Sequence, residues 1–163
     1  LLREIRRAPQ PFIARVQGAA IGGGCGLMTV CDFAFTHSDS KMGYPEVDLG
    51  ICPAVVAPWL VAKIGSGKAR QLLLAGGTFS GAHGHAVGLL GNLVDLDDLH
   101  SSTLSFARRL MQGGPVAMAT TKAWLNDLDG SMDDDILDAA AALSARLVGE
   151  EEAQGRLAAI FDR

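Results

Sequence analysis

The hydrophobic pattern changes character about a third of the way along the chain. Residues 1–8 read as the end of an amphipathic helix, stopped by Pro9 and Pro11. A proline brings no amide and disfavours helix in the residue before it. Residues 12–16, Phe-Ile-Ala-Arg-Val, predict a short strand, and residues 18–24 a glycine-rich turn. The apolar run 25–30 predicts a buried helix launched from that turn. Residues 32–36 alternate and predict another strand. Residues 41–50 predict a second extended stretch, with Pro45 inside it, and Pro53 opens an apolar helix reaching Ile64. Beyond this point the pattern is helical, over 66–75, from a Ser80 cap to about Leu89, and over 97–111, 116–128, 133–148 and 150–161. A brief strand at 92–95 interrupts it. No repeat or low-complexity linker divides the two parts, so residues 1–95 are expected to form an α/β core and residues 96–163 a helical region.

Composition adds that the 163 residues, 48% hydrophobic and 20% charged, are one domain's worth of material with a sizeable core. The net charge of −4 gives no whole-chain electrostatic case for nucleic acid or an anionic membrane. An anionic ligand must therefore be met by local cations or by backbone amides. Cys25, Cys31 and Cys52 lack the spacing of a metal or redox pair and read as small apolar residues in a reduced, cytoplasmic setting. No apolar run approaches the ~20 residues of a membrane span, and no signal peptide is expected. The opening Leu-Leu-Arg-Glu, in mid-helix and without an initiator Met, reads as the continuation of a longer protein.

The chemistry centres on Gly22, Gly23 and Gly24. Amides at a helix N-terminus have no intrahelical partner and sit at the positive end of the helix dipole. Glycines let a ligand approach them. Such a corner holds an anion, or a carbonyl oxygen that becomes anionic during reaction; equally, small residues there serve close packing. It is not a dinucleotide fingerprint, because counting from Gly22 the sixth position is Leu27, and from Gly18 the third is Ala20. Neither the phosphate-loop Gly-Lys-Ser/Thr nor the hydrolase Gly-x-Ser-x-Gly occurs. His83-Gly84-His85 has no third ligand nearby, and the acidic run from Asp127 to Asp135 misplaces the glycine and final glutamate of a calcium loop, so no metal is expected. That run reads instead as a turn, a Ser131 cap and acids at a helix start. Lys68, Arg70 and Arg156 read as solvated, and Trp59 and Trp124 as core or interface packing.

Residues 11–27, Pro-Phe-Ile-Ala-Arg-Val-Gln-Gly-Ala-Ala-Ile-Gly-Gly-Gly-Cys-Gly-Leu, followed by Cys31-Asp32, resemble the signature of the enoyl-CoA hydratase/isomerase (crotonase) family. Residues 42–53 resemble its second block, with Glu46, then Gly50 and Pro53. Ser80-Gly81-Ala82 through Gly88-Leu89, and the closing Gln154-Gly155-Arg156 through Phe161-Asp162-Arg163, fit later family segments. The look is closest to the bacterial methylglutaconyl-CoA hydratase-like branch. The resemblance implies a spiral of ββα units with a helical C-terminal trimerisation region, giving a homotrimer or a dimer of trimers. It implies an acyl-CoA thioester substrate, with coenzyme A as part of the substrate and no other cofactor. Gly23 would supply one of two amides holding the thioester oxygen, and Glu46 would be the acid/base. Gly22, Gly26, Tyr44 and Pro53 would shape the substrate pocket, with Arg163 a candidate for the CoA phosphates.

Three features depart from the family pattern. The segment that carries the other oxyanion amide would lie ahead of Leu1. Gly26 stands where two-carboxylate hydratases carry a second Glu, which leaves Glu46 alone. The usual glycine-rich continuation after Pro53 is replaced by Ala54-Val55-Val56-Ala57-Pro58. One carboxylate suffices for hydration if it both takes a proton from water and delivers it to carbon, and it also suffices to move a proton between C2 and C4. Members of the branch that the chain resembles keep the single Glu and are generally called hydratases, so the resemblance implies enoyl-CoA hydratase first, with Δ3,Δ2-enoyl-CoA isomerase the alternative. A truncated, non-catalytic member serving as an oligomerisation or binding partner is the reading from another class.

Overall fold

The computed structural model describes residues 1–161. Its opening helix, α1 (Leu2–Arg7), ends ahead of Pro9, and β1 (Ile13–Arg15) and β2 (Ala19–Ile21) follow. The chain then turns into α2 (Gly23–Val30) and returns through β3 (Phe33–Thr36) and β4 (Lys41–Gly43). β1 and β3 run parallel in one sheet, with Ile13 opposite Phe33, while β2 and β4 run parallel in another, with Ala19 opposite Lys41. The polypeptide thus steps from sheet to sheet, strand, strand, helix, and winds as a spiral. Parallel partners require such crossovers.

After β4 the backbone departs from the extended form expected for residues 41–50. It closes into a 3₁₀ turn at Pro45–Leu49, ended by Gly50 in the left-handed region at φ 70°. Then come α3 (Ala57–Ile64), α4 (Ser66–Ala75), β5 (Thr78–Ser80), α5 (Gly81–Ala86) and β6 (Asn92–Leu93). β5 pairs antiparallel with β4, and β6 parallel with β3, so the sheets run β1-β3-β6 and β2-β4-β5. At Gly43 a Cβ would press on Gly77 O and Thr78 Cα, so the close approach of β5 demands glycine there. Ser80 caps α5 as expected, accepting the His83 amide at 3.2 Å.

The remainder is helical: α6 (Leu99–Leu110), α7 (Pro115–Leu128), α8 (Asp134–Val148) and α9 (Glu151–Phe161). The cap of α8 is Asp133, bonded to the Ile136 amide, and not Ser131. Ser131 instead accepts from Arg6 Nε at 3.1 Å. The acidic run serves as one half of a clasp, with Arg7 at 2.8 Å from Asp134, Arg3 at 3.2 Å from the same carboxylate, and Arg6 on Asp129. These pairs fix α1 against the start of α8. On the opposite side of α1, buried Lys122 of α7 donates to Ile5 O, Gln10 O and Asp32. One core gathers Ala20, Met28, Met42, Tyr44, Leu60 and Leu89 between α2, α3 and the second sheet. A smaller one packs Val30, Trp59 and Leu137 against α1. Trp59 is therefore core, whereas Trp124 is 61% exposed.

Candidate active site

The second sheet delivers both halves of the site. At the end of β2 the Gly22 amide donates to Gly43 O at 2.8 Å, which extends the pairing with β4 by one residue. Gly22 then takes φ 56°, ψ −122°, a conformation that needs glycine. That single turn aims the N-terminus of α2 outward. Gly23, its first residue, is exposed. Among the described residues, a Cβ at Gly23 or Gly24 would meet nothing within 4 Å. Packing does not explain those two glycines. Both leave the first turn of α2 without side chains, and Gly23 borders the cavity that carries Glu46.

At the end of β4 the chain passes Tyr44 and enters the 3₁₀ turn that carries Glu46. This carboxylate is pressed against the corner: a Cβ placed on Gly22 would lie 3.4 Å from Glu46 Oε1. The side chain is half-buried, and Oε2 is buried without a hydrogen-bond partner. Burial raises its pKa above the usual glutamate range, partly offset by its own backbone amide. A raised pKa in a cleft is the condition expected of a group that exchanges protons.

Gly23, Glu46 and Pro53 share the wall of one cavity of about 270 Å³, together with Leu27, Ile51 and Val56. Leu2 of α1 and Ser144 of α8 close its far side. The clasp between those two helices therefore also shapes the cavity. The turn itself is braced from outside. Asp48 accepts the Gly77 amide at 2.7 Å, and Arg156 of α9 donates to Asp48 O at 3.2 Å. Arg156, expected to be simply solvated, thus reaches the loop that carries the acid.

Two expected pocket residues stand one layer behind the wall. Tyr44 is fully buried in the core, its hydroxyl 2.7 Å from Thr29 Oγ1, so it supports α2 from beneath and does not line the cavity. Gly26 is buried at the end of the first turn of α2, and a Cβ there would collide with Val56 Cγ1. Arg163 lies outside the described residues. Two contributors were not singled out from the sequence. Val56 was legible only as part of an apolar run. Lys63 of α3 donates to Thr29 O and Cys31 O, each at 2.9 Å, and so grips the carbonyl end of the helix whose amide end faces the cavity. No group of three or more His, Cys, Asp or Glu among the described residues is placed to hold a metal ion. Among the same residues no helix is long and apolar enough to cross a membrane.

Open amides and a half-dried carboxylate across one apolar cavity, on a spiral of strand-strand-helix units, define a class. The fold is crotonase-like: the solved structure of an enoyl-CoA hydratase described as putative, from Streptomyces avermitilis, superposes with a TM-score of 0.92 at 26% identity, over 99% of this chain and 58% of that one. The enoyl-CoA hydratase/isomerase family model matches residues 1–157, and the chain belongs to that family. It is 34% identical over 128 residues to a crotonyl-CoA hydratase of Syntrophomonas wolfei, covering 78% of this chain and 49% of that protein. It is 31% identical over 131 residues to the mitochondrial methylglutaconyl-CoA hydratase of Mus musculus, covering 77% of this chain and 42% of that one. The chain thus spans about half the length of the relatives it matches.

Proposed function

We propose that the protein is an enoyl-CoA hydratase that works with a single carboxylate, Glu46. The observation that carries this reading is the buried, unpartnered Oε2 of Glu46 in the same cavity as the exposed N-terminus of α2. The thioester oxygen would accept from the Gly23 amide and from a second amide that the family resemblance puts ahead of Leu1. Charge developing on that oxygen as an enolate would be met by donors already oriented by the helix, so nothing reorganises during the reaction. Glu46 would take a proton from water as the water oxygen bonds to C3, and would return that proton to C2. Pro53, with Leu27 and Ile51, would hold the acyl group. No metal or redox group enters these steps, because coenzyme A arrives as part of the substrate.

The isomerase reading draws on one observation, the closure of position 26 by Val56, which leaves Glu46 as the only carboxylate on the described cavity wall. The same acid would then carry a proton between C2 and C4. As in the family it resembles, the protein would act in the cytoplasm as a homotrimer or dimer of trimers. Residues 1–95 would carry the chemistry and residues 96–163 the assembly contacts. Incubation of the full-length protein with crotonyl-CoA and, separately, with a 3-enoyl-CoA tests the assignment. Loss of the 2-enoyl absorbance from crotonyl-CoA without conversion of the 3-enoyl thioester is the expected result. The reverse pattern assigns the isomerase, and inactivity toward both rejects the enzymatic reading.

A further inference from the structure

We infer that Val56, packed into the space left by Gly26, sets the width of acyl group that the site accepts just beyond the reacting carbons. This inference rests on the proposed hydratase reading of Gly23 and Glu46. Gly26 lies three residues after Gly23 on α2, a rise of about 4.5 Å along the helix. A thioester whose oxygen sits at the Gly23 amide and whose C2 and C3 face Glu46 therefore lays its next carbon beside the end of the first turn of α2, on the same face as Gly23. That turn offers no side chain at position 26. Val56 fills the place so closely that a Cβ on Gly26 would overlap Val56 Cγ1 and stand 3.5 Å from Val56 Cβ. Val56 is 5% exposed, belongs to the main core and also forms part of the cavity wall. It is held from behind, so it cannot yield to a wider substrate. Gly26 and Val56 thus act as one unit whose combined bulk fixes the wall, a straight chain passing and a branched one meeting the valine methyls.

The test compares crotonyl-CoA with trans-4-methyl-2-pentenoyl-CoA, which carries a branch at that carbon. Wild type, Val56→Ala, Gly26→Ala and the double variant are assayed, and each is also melted. One methylene in an apolar pocket changes discrimination by ~10–200-fold. Val56→Ala is therefore expected to shift the kcat/KM ratio toward the branched substrate by about tenfold or more. Gly26→Ala/Val56→Ala puts one methyl back into the vacated space and is expected to return the ratio to near the wild-type value. The melts give a readout independent of catalysis: Gly26→Ala lowers Tm by overlap, Val56→Ala lowers it by leaving a void, and the pair recovers part of both losses. An unchanged ratio in an active Val56→Ala, or strictly additive losses of Tm, overturns the inference while leaving the hydratase reading intact. If wild type turns over neither thioester, that reading falls and takes this inference with it.

Discussion

The glycine corner and the glutamate turn face each other across one small cavity, yet the chain builds them by opposite means. The corner is kept bare. Past Gly22, neither Gly23 nor Gly24 has a described neighbour where its Cβ would be. The glutamate turn is crowded. Gly50 sits against Glu152, Ala153 and Arg156 of α9, and Asp48 is tied to both Gly77 and Arg156. The two groups have different needs. A helix-terminal amide is already aligned by its helix and needs only access. A carboxylate has several rotatable bonds and an ordinary affinity for water, so both its aim and its pKa must come from surroundings that press on it.

The largest expected effect follows from disturbing the crowded side. Glu46→Gln keeps the shape and removes the proton exchange, and turnover should fall by ~10²–10⁴-fold in the rate assay. Stability should respond in the other direction. Burial lifts the folded-state pKa of Glu46, so the ionised form opposes folding; that penalty is absent in acid and grows as pH rises through the folded pKa. The glutamine variant should thus melt no lower than wild type at neutral pH, with the difference closing below the ordinary glutamate range. The acidic limb of kcat/KM should likewise lie above that range.

The bare side gives the next effect. Gly23 is the first residue of α2, where proline is tolerated because its amide has no helical partner. Gly23→Pro should leave far-ultraviolet circular dichroism unchanged and lower kcat/KM by ~10²–10³-fold, the usual cost of one oxyanion donor. Gly22→Ala breaks the link between the two sides: its backbone region is one that side chains avoid, and the loss should be on the order of 1–3 kcal/mol in a denaturant melt. The smallest effect is expected at Gly24. Alanine there should raise stability by ~0.5–1 kcal/mol in the same melt, since glycine is a poor helix residue and a methyl meets no described neighbour.

The sequence carried the helices well. The boundaries of α4 and the Ser80 cap of α5 follow from local periodicity and capping chemistry. It did not carry β2 or β5. Residues 18–24 read as a single turn, yet Ala19–Ile21 is a strand, three residues long, that exists because Lys41–Gly43 lies alongside it. Thr78–Ser80 depends on the same partner. Pairings of that kind leave no mark in a window of neighbouring residues. The 3₁₀ turn at Pro45–Leu49 was hidden likewise, because proline permits both extended and turn geometry. In the site, Gly23, Glu46 and Pro53 were legible through a family pattern, whereas Val56 was not. Its role depends on what is missing from Gly26, on a different helix.

Lys63 gives α2 a second kind of importance. The helix is polarised, and its two ends are in contact with different partners: the cavity at the amide end, an ammonium at the carbonyl end. Burial draws that ammonium's pKa down to about 8, against neighbours Cys31, Asp32 and Cys25, which hold it up, and Arg6, which lowers it further. The unfolded chain keeps the proton up to the ordinary lysine range, so between about pH 8 and that range rising pH favours the folded form through this group. Over the same interval the helix loses its counter-ion. Robustness and polarisation of the substrate are then set in opposition on the alkaline side. A melting temperature that gains on that of Lys63→Met as pH rises above 8, while turnover declines in wild type and not in the variant, would be the signature.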